Sequence, residues 1–282
     1  MGDGRAVDRP AARERRLVGE GREAEILDWG DGRVVRLLRD PAASDRARVE
    51  AEAMAAARAA GAPAPAVHEV VELDGRPGIV VDRIDGPDLL TIVARRPWTV
   101  GSAGRTLGQV HARLHAVAAP AGLPEISDVI RDRLRTADTA SEELAAFALE
   151  HLDALADGDR LLHGDLHPAN ILVGPGGPVA IDWVRAGRGD PAADVAWTRL
   201  LLRLARPHSS SPWIVRKGHG LGRGLMESGY VKAYARARAI DVELVDRWEP
   251  ILAVARLASD LEGERPELLA LLRGAGAPVP VG

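Results

Sequence analysis

The stretch His163-Gly164-Asp165-Leu166-His167-Pro168-Ala169-Asn170-Ile171-Leu172-Val173 constrains this chain more than any other. An Asp and an Asn five positions apart, with a His two before the Asp, run straight into an apolar, strand-like segment. Another acid, Asp182, follows twelve residues after Asn170 inside the apolar run Val179-Ala180-Ile181-Asp182-Trp183. One reading is structural: Asp165 caps a turn and Asn170 opens a helix. The other is chemical. An aspartate can orient a hydroxyl and accept its proton, while Asn170 and Asp182 offer the hard oxygen donors that magnesium prefers.

Composition narrows the class. With 282 residues, 46% of them apolar, the chain suits one large domain or two packed lobes. A net charge of −4 argues against a nucleic-acid surface, which would concentrate basic residues on one face. The absence of cysteine removes disulfides and thiolate metal sites. Met1 to Arg16 is charged and lacks the apolar segment of a signal peptide. No apolar run reaches membrane-spanning length, so the expectation is a cytoplasmic protein with no membrane partner. The basic side chains are nearly all arginine; Lys217 and Lys232 are the only lysines.

Along the chain, Glu25 to Leu38 reads as a hairpin turning at Gly30-Asp31-Gly32. A helix follows, with Ser44 or Asp45 as N-cap and with Arg46–Glu50 and Arg48–Glu52 pairs on its surface. Gly61 and Pro63 stop it. Val67 to Leu73 and Ile79 to Ile84 read as strands around Asp74-Gly75. Helical patterns cover Thr106 to Val117 and Glu142 to Leu155, a strand-rich stretch covers Leu161 to Trp183, and helices resume from Asp194. Pro207 to Gly224, rich in Ser, Gly and Pro, reads as a loop.

The H-x-D-x-x-x-x-N spacing with a later Asp resembles the catalytic loop and metal ligand of protein kinases. The full string, with Ile181-Asp182-Trp183, resembles more specifically the signature of the aminoglycoside phosphotransferase family, itself similar to choline and fructosamine kinases. Gly21-Arg22-Glu23-Ala24-Glu25, Arg83-Ile84-Asp85-Gly86-Pro87, Leu107 to His115 and Gly189-Asp190-Pro191-Ala192-Ala193-Asp194 extend the similarity over most of the chain. The resemblance implies a two-lobe, protein-kinase-like α+β fold. Residues 1–81 would form a small antiparallel-sheet lobe, 82–86 the hinge, and 87–282 a larger, mainly helical lobe. It also implies ATP and Mg2+, with the γ-phosphoryl passing to a hydroxyl of an amino sugar, aminoglycoside or amino alcohol. The missing Ala-Pro-Glu segment and the short run from Asp182 to Asp190 argue against a peptide acceptor.

Carried over by resemblance, Asp165 is the base, Asn170 and Asp182 are the metal ligands, and His163 and Asp194 support the catalytic loop. Gly19, Gly21, Arg36, Glu50, Asp82 and Ile84 fall at nucleotide-binding positions. Two departures stand out. Arg36 occupies a place where many kinases have lysine, and Val18-Gly19-Glu20-Gly21 lacks the full G-x-G-x-x-G. They keep open a nucleotide-binding pseudokinase with a regulatory role. Gly164-Asp165-Leu166-His167 also resembles a piece of dinuclear metallophosphoesterases, but the further ligands of such a site are missing. His111 and His115, four apart on one helix, are expected to pack that helix rather than to bind metal. The acceptor is expected to meet Trp213, Trp248, Arg256 and Asp260. The alternative for the Glu249, Arg256 and Asp260 face is contact with water.

Overall fold

Strand alternation shapes the N-terminal part. The computed structural model describes residues 12–136, 141–205, 213–258 and 263–279, with the backbone alone at 13 and 213–219. Strands β1 (Leu17–Glu20), β2 (Ala24–Gly30) and β3 (Arg33–Leu38) precede helix α1 (Ser44–Ala59), and β4 (Val67–Leu73) and β5 (Arg76–Asp82) follow it. They form one antiparallel sheet in the order β1-β2-β3-β5-β4. The β2–β3 turn needs left-handed backbone, and Gly30, Asp31 and Gly32 supply φ of 92°, 52° and 71°. Val35 and Leu37 pack with Leu27 and Val80 on one face of β3. Val34 and Leu38 join the main core with α1 on the other, and alternation puts Arg36 on that same face.

Helix α1 differs from expectation in detail. Ala43 is its N-cap, and no side chain caps it. Arg46 pairs with Glu23 at 3.6 Å and Arg48 with Asp45 at 3.0 Å. Glu50 is therefore not held on the surface. It faces inward, and only 1% of it is exposed.

The remainder is mainly helical. It comprises α2 (Leu89–Arg95), α3 (Val100–Leu114), α4 (Ile126–Thr136), α5 (Glu142–Asp153), β6 (Arg160–Leu162), β7 (Ile171–Gly174), β8 (Gly177–Ala180), β9 (Gly187–Gly189), α6 (Pro191–Leu204), α7 (Trp213–Ala237), α8 (Val242–Leu257) and α9 (Arg265–Gly274). β7 and β8 form a hairpin, and β6 pairs with β9. The result is the two-lobe α+β plan implied by the resemblance. Residues 213–224, expected as loop, belong to α7, while 206–212 lie outside the described residues. The helix expected at Glu249–Glu262 begins earlier, at Val242, where the Asp241 side chain accepts from Leu244 N at 3.0 Å. Among the described residues no helix is long and apolar enough to cross a membrane.

Glycines let α3 and α7 touch main chain to main chain. A Cβ on Gly104 would lie 2.2 Å from Met226 O, and one on Gly108 would lie 2.3 Å from Tyr230 O. From the other side, a Cβ on Gly229 would lie 2.7 Å from Gly101 O. This approach seats His111 of α3 and His115, its C-cap, against Tyr230 and Tyr234 of α7.

Candidate active site

Asp165, Asn170 and Asp182 reach one cleft of about 780 Å³, which Gly21, Arg36, Glu50, Asp82 and Ile84 also line. Gly19 is not in the wall; it pairs with Ile26 inside the sheet, and its neighbours Val18 and Glu20 line the cleft instead. Asn170 ends a short 3₁₀ turn, Pro168–Asn170, just before β7. Asp182 was expected within a strand. In fact β8 ends at Ala180, and Asp182 takes a left-handed φ of 62°, which turns the chain out of the hairpin.

Arg36 joins the two halves of the cleft. Its guanidinium donates to Glu50 Oε2 at 3.0 Å and to Asp182 Oδ1 at 2.9 Å. Burial pushes the Glu50 carboxyl up to about 7, against the pull of the Arg36 charge. The donor set suits a hard divalent cation. Asn170 spends its Nδ2 on the Asp165 carbonyl at 3.0 Å, leaving its amide oxygen, and Asp182 engages Arg36 through Oδ1 alone.

Asp194 braces the loop at His163 and Gly164 from below. Its carboxylate accepts from His163 N at 2.6 Å and from Gly164 N at 3.2 Å. His111 Nε2 and His115 Nε2 lie 3.1 and 3.3 Å from Asp194 Oδ2, while their Nδ1 atoms meet the hydroxyls of Tyr230 and Tyr234. Burial acts to raise the Asp194 carboxyl, yet the surrounding imidazoles outweigh it and hold it well below the usual range. Burial also pushes His115 down to about 3, so this imidazole stays neutral. Space thus supplies the third polar partner that the sequence did not place beside the histidine pair. His163 is fully buried, with Nε2 3.0 Å from Ile181 O. Gly164 is left-handed at φ 74°, where a Cβ would strike Arg185 O at 2.1 Å.

Residues 14–240 match the family described as "Phosphotransferase enzyme family". The chain belongs to that family. The chain is 35% identical over 118 residues to the homoserine kinase of Beijerinckia indica subsp. indica. That match covers 37% of this chain and only 35% of the relative's length. In fold it is similar to a choline/ethanolamine kinase family protein from Mesorhizobium loti, with TM-score 0.63, 19% identity, and 92% and 87% of the two chains covered. It is also similar to a thermostable mutant of aminoglycoside phosphotransferase APH(4)-Ia in ternary complex with AMP-PNP and hygromycin B. There the TM-score is 0.59 at 19% identity, over 93% of this chain and 90% of the other.

Two further side chains flank Asp165. Trp197 of α6 donates Nε1–H to Asp165 Oδ1 at 3.2 Å, and Arg185 Nε stands 4.0 Å from Oδ2. The expected acceptor residues divide. Arg256 lines the cleft and grips Glu264 through Nε at 2.7 Å and a terminal nitrogen at 2.9 Å. Trp248 is buried and lines a separate recess with Ser127 and Asp153. Glu249 is buried too, paired with Arg203 at 2.8 Å, so the face it was expected to share with Arg256 does not simply meet water. The Trp213 side chain and the whole of Asp260 lie outside the described residues.

Proposed function

We propose that the phosphotransferase moves the γ-phosphoryl of ATP to a hydroxyl of a small molecule with magnesium as cofactor. The convergence of Asp165, Asn170 and Asp182 on one cleft, opposite the Arg36–Glu50 pair, carries this reading. ATP would lie between the sheet lobe of residues 1–81 and the helical lobe of 87–282, its adenine against the backbone of 82–86. Support for that placement comes from Gly86, where a Cβ would stand 2.0 Å from Val173 O and block the close approach of the hinge to β7. Arg36 would hold phosphate in place of lysine, its fork already fixed by two carboxylates.

Asn170 and Asp182 would hold magnesium, which neutralises charge on the β- and γ-phosphates when bound. Trp197 occupies Oδ1 of Asp165, which leaves Oδ2 to take the proton of the acceptor hydroxyl. As that proton leaves, the hydroxyl oxygen bonds to the γ-phosphorus, the bond to the β–γ bridging oxygen breaks, and ADP departs. The pseudokinase alternative draws on Arg36 and the short glycine turn, but all the groups needed for transfer are present. The test is phosphoryl transfer from labelled Mg-ATP by wild type and Asp165→Asn. The variant should fold and bind nucleotide yet lose about 10²–10⁴-fold in kcat. Wild-type turnover by Asp165→Asn would sink the assignment.

A further inference from the structure

Beside the nucleotide cleft lies a second cavity of about 260 Å³, and its inner end abuts Asp165. Gly164, the residue before Asp165, is in its wall. So are the two side chains that flank the Asp165 carboxylate, Trp197 at Oδ1 and Arg185 at Oδ2. In-line transfer sets the attacking and leaving oxygens on opposite sides of the phosphorus. The body of an acceptor therefore extends from Asp165 away from the nucleotide. Val184 and Arg185, shared by both walls, mark where cleft and cavity meet.

The wall of this cavity is apolar. Ile126, Val129 and Ile130 of α4 line it together with Leu252 and Ala255 of α8 and the Trp197 ring of α6. The polar side chains in the wall are already engaged. The Asp194 oxygens accept from the His163 and Gly164 amides, and the Trp197 N–H goes to Asp165. Arg133 has a partner of its own. Arg185 leans over the Trp197 ring, 5.9 Å from its centre, and faces Asp165 in the nucleotide cleft. Asp194 is the one acid among the described residues of the wall, so an ammonium group finds no free carboxylate here, and a ring of hydroxyls finds little to pair with. A buried polar group without a partner is costly, whereas each methylene moved from water into such a space is favourable. Val129 lines the cavity and is still 46% exposed, so the apolar wall runs out to the surface and gives a way in.

Resting on the phosphotransferase reading above, we infer that the acceptor carries its hydroxyl on a compact apolar body, branched, alicyclic or aromatic. The body fills this cavity while the hydroxyl meets Asp165. The volume falls just below that of drug-sized sites, about 300–1,000 Å³, which keeps the body small. Amino sugars and amino alcohols, the acceptors implied by the family resemblance, would set their ammonium groups against hydrocarbon.

Calorimetry on the whole protein, nucleotide-free and saturated with Mg-AMP-PNP, tests this with matched alcohols. Cyclohexylmethanol is set against glucose, and dimethylbutanol, the carbon isostere of choline, against choline; each pair is alike in shape and unlike in polarity. The apolar member should bind about tenfold or more tightly, and the series from propanol to pentanol should gain about fourfold per methylene. With Mg-ATP, the apolar member should also be phosphorylated faster, read as phosphate monoester by phosphorus NMR. Val129→Asp, at an exposed position, should weaken the apolar alcohols about threefold or more and leave Mg-AMP-PNP affinity unchanged, while Val129→Leu should keep them bound. Thermal melting confirms that both variants fold. The inference is overturned if glucose or choline binds as tightly as its apolar counterpart, if no apolar alcohol binds, or if Val129→Asp leaves their affinity as it was. Apolar alcohols that bind beside Mg-ATP without being phosphorylated would overturn it too. A wild type that fails to bind Mg-AMP-PNP would refute the phosphotransferase reading instead, and the nucleotide-free titration still decides whether the cavity takes apolar alcohols.

Discussion

Asp194→Asn removes one charge and replaces an acceptor with a donor at a fully enclosed carboxylate beneath the His163–Gly164 loop. In the native protein this carboxylate accepts from His163 N and Gly164 N and faces two imidazole nitrogens, with no solvent access. The amide would retain one oxygen, but its NH2 would point at groups that already donate. A hydrogen bond to a charged group contributes about 1.5–3 kcal/mol against about 0.5–1.5 for a neutral one. Spread over the donors gathered here, the exchange should cost about 3–5 kcal/mol, the usual range for breaking a buried charged network. At about 2–4 °C per kcal/mol for a chain of this size, Tm should fall by roughly 6–20 °C. Differential scanning calorimetry and urea unfolding would both report it. The turnover of the remaining folded fraction should drop as well, because the main chain beside Asp165 loses its support. A Tm within about 2 °C of wild type would refute the reasoning.

The buried His115 gives a pH signature. Its folded value lies below its unfolded one, so its share of stability is complete above about 6.5 and is lost as pH falls toward about 3. The unfolding free energy should therefore decline on acidification across that window, by up to about 1.4 kcal/mol per pH unit, with Tm falling in step, and His115→Gln should flatten the slope. Arg36→Lys should retain activity within roughly tenfold, whereas Arg36→Met, which strips Glu50 and Asp182 of their shared partner, should lose about 10²-fold or more in kcat/KM for ATP; equal activity of the two would show a solvated strand residue. Gly104→Ala forces a Cβ against Met226 O and should cost about 1–3 kcal/mol or more by denaturant titration. Gly220→Ala, with open space around it, should be neutral or stabilising by about 0.5–1 kcal/mol.

The sheet was readable because its signals are local. Alternating apolar residues and the Asp-Gly turns specify β2 to β5 without reference to anything distant, and the string around Asp165 carries the family resemblance in a single short segment. Glu50 was harder to place. Helical spacing offers it Arg46 as a partner, and only the sheet packed above α1 shows that it points inward to Arg36. The N-terminal part of α7 was masked by its glycines. Its helical course continues from Met226, Tyr230 and Tyr234, whose burial against α3 no local propensity reveals. The surroundings of Asp165 were hidden for the same reason. Arg185, Trp197 and Arg256 come from separate segments, and nothing in any one of them announces the other two.

The glycine seam between α3 and α7 has a consequence for how such a protein can change. Where two helices meet through peptide groups instead of side chains, the joint has no slack and no adjustable filler. It behaves as a weld. The weld ties α7 through the tyrosine–histidine pairs and Asp194 to the loop that carries Asp165, so these parts move as one body or not at all. Arg185 and Arg256 meet the cleft through ordinary side chains, and those can be exchanged one at a time. New acceptors should therefore be reached by rewriting the walls, with the welded chassis left as it is.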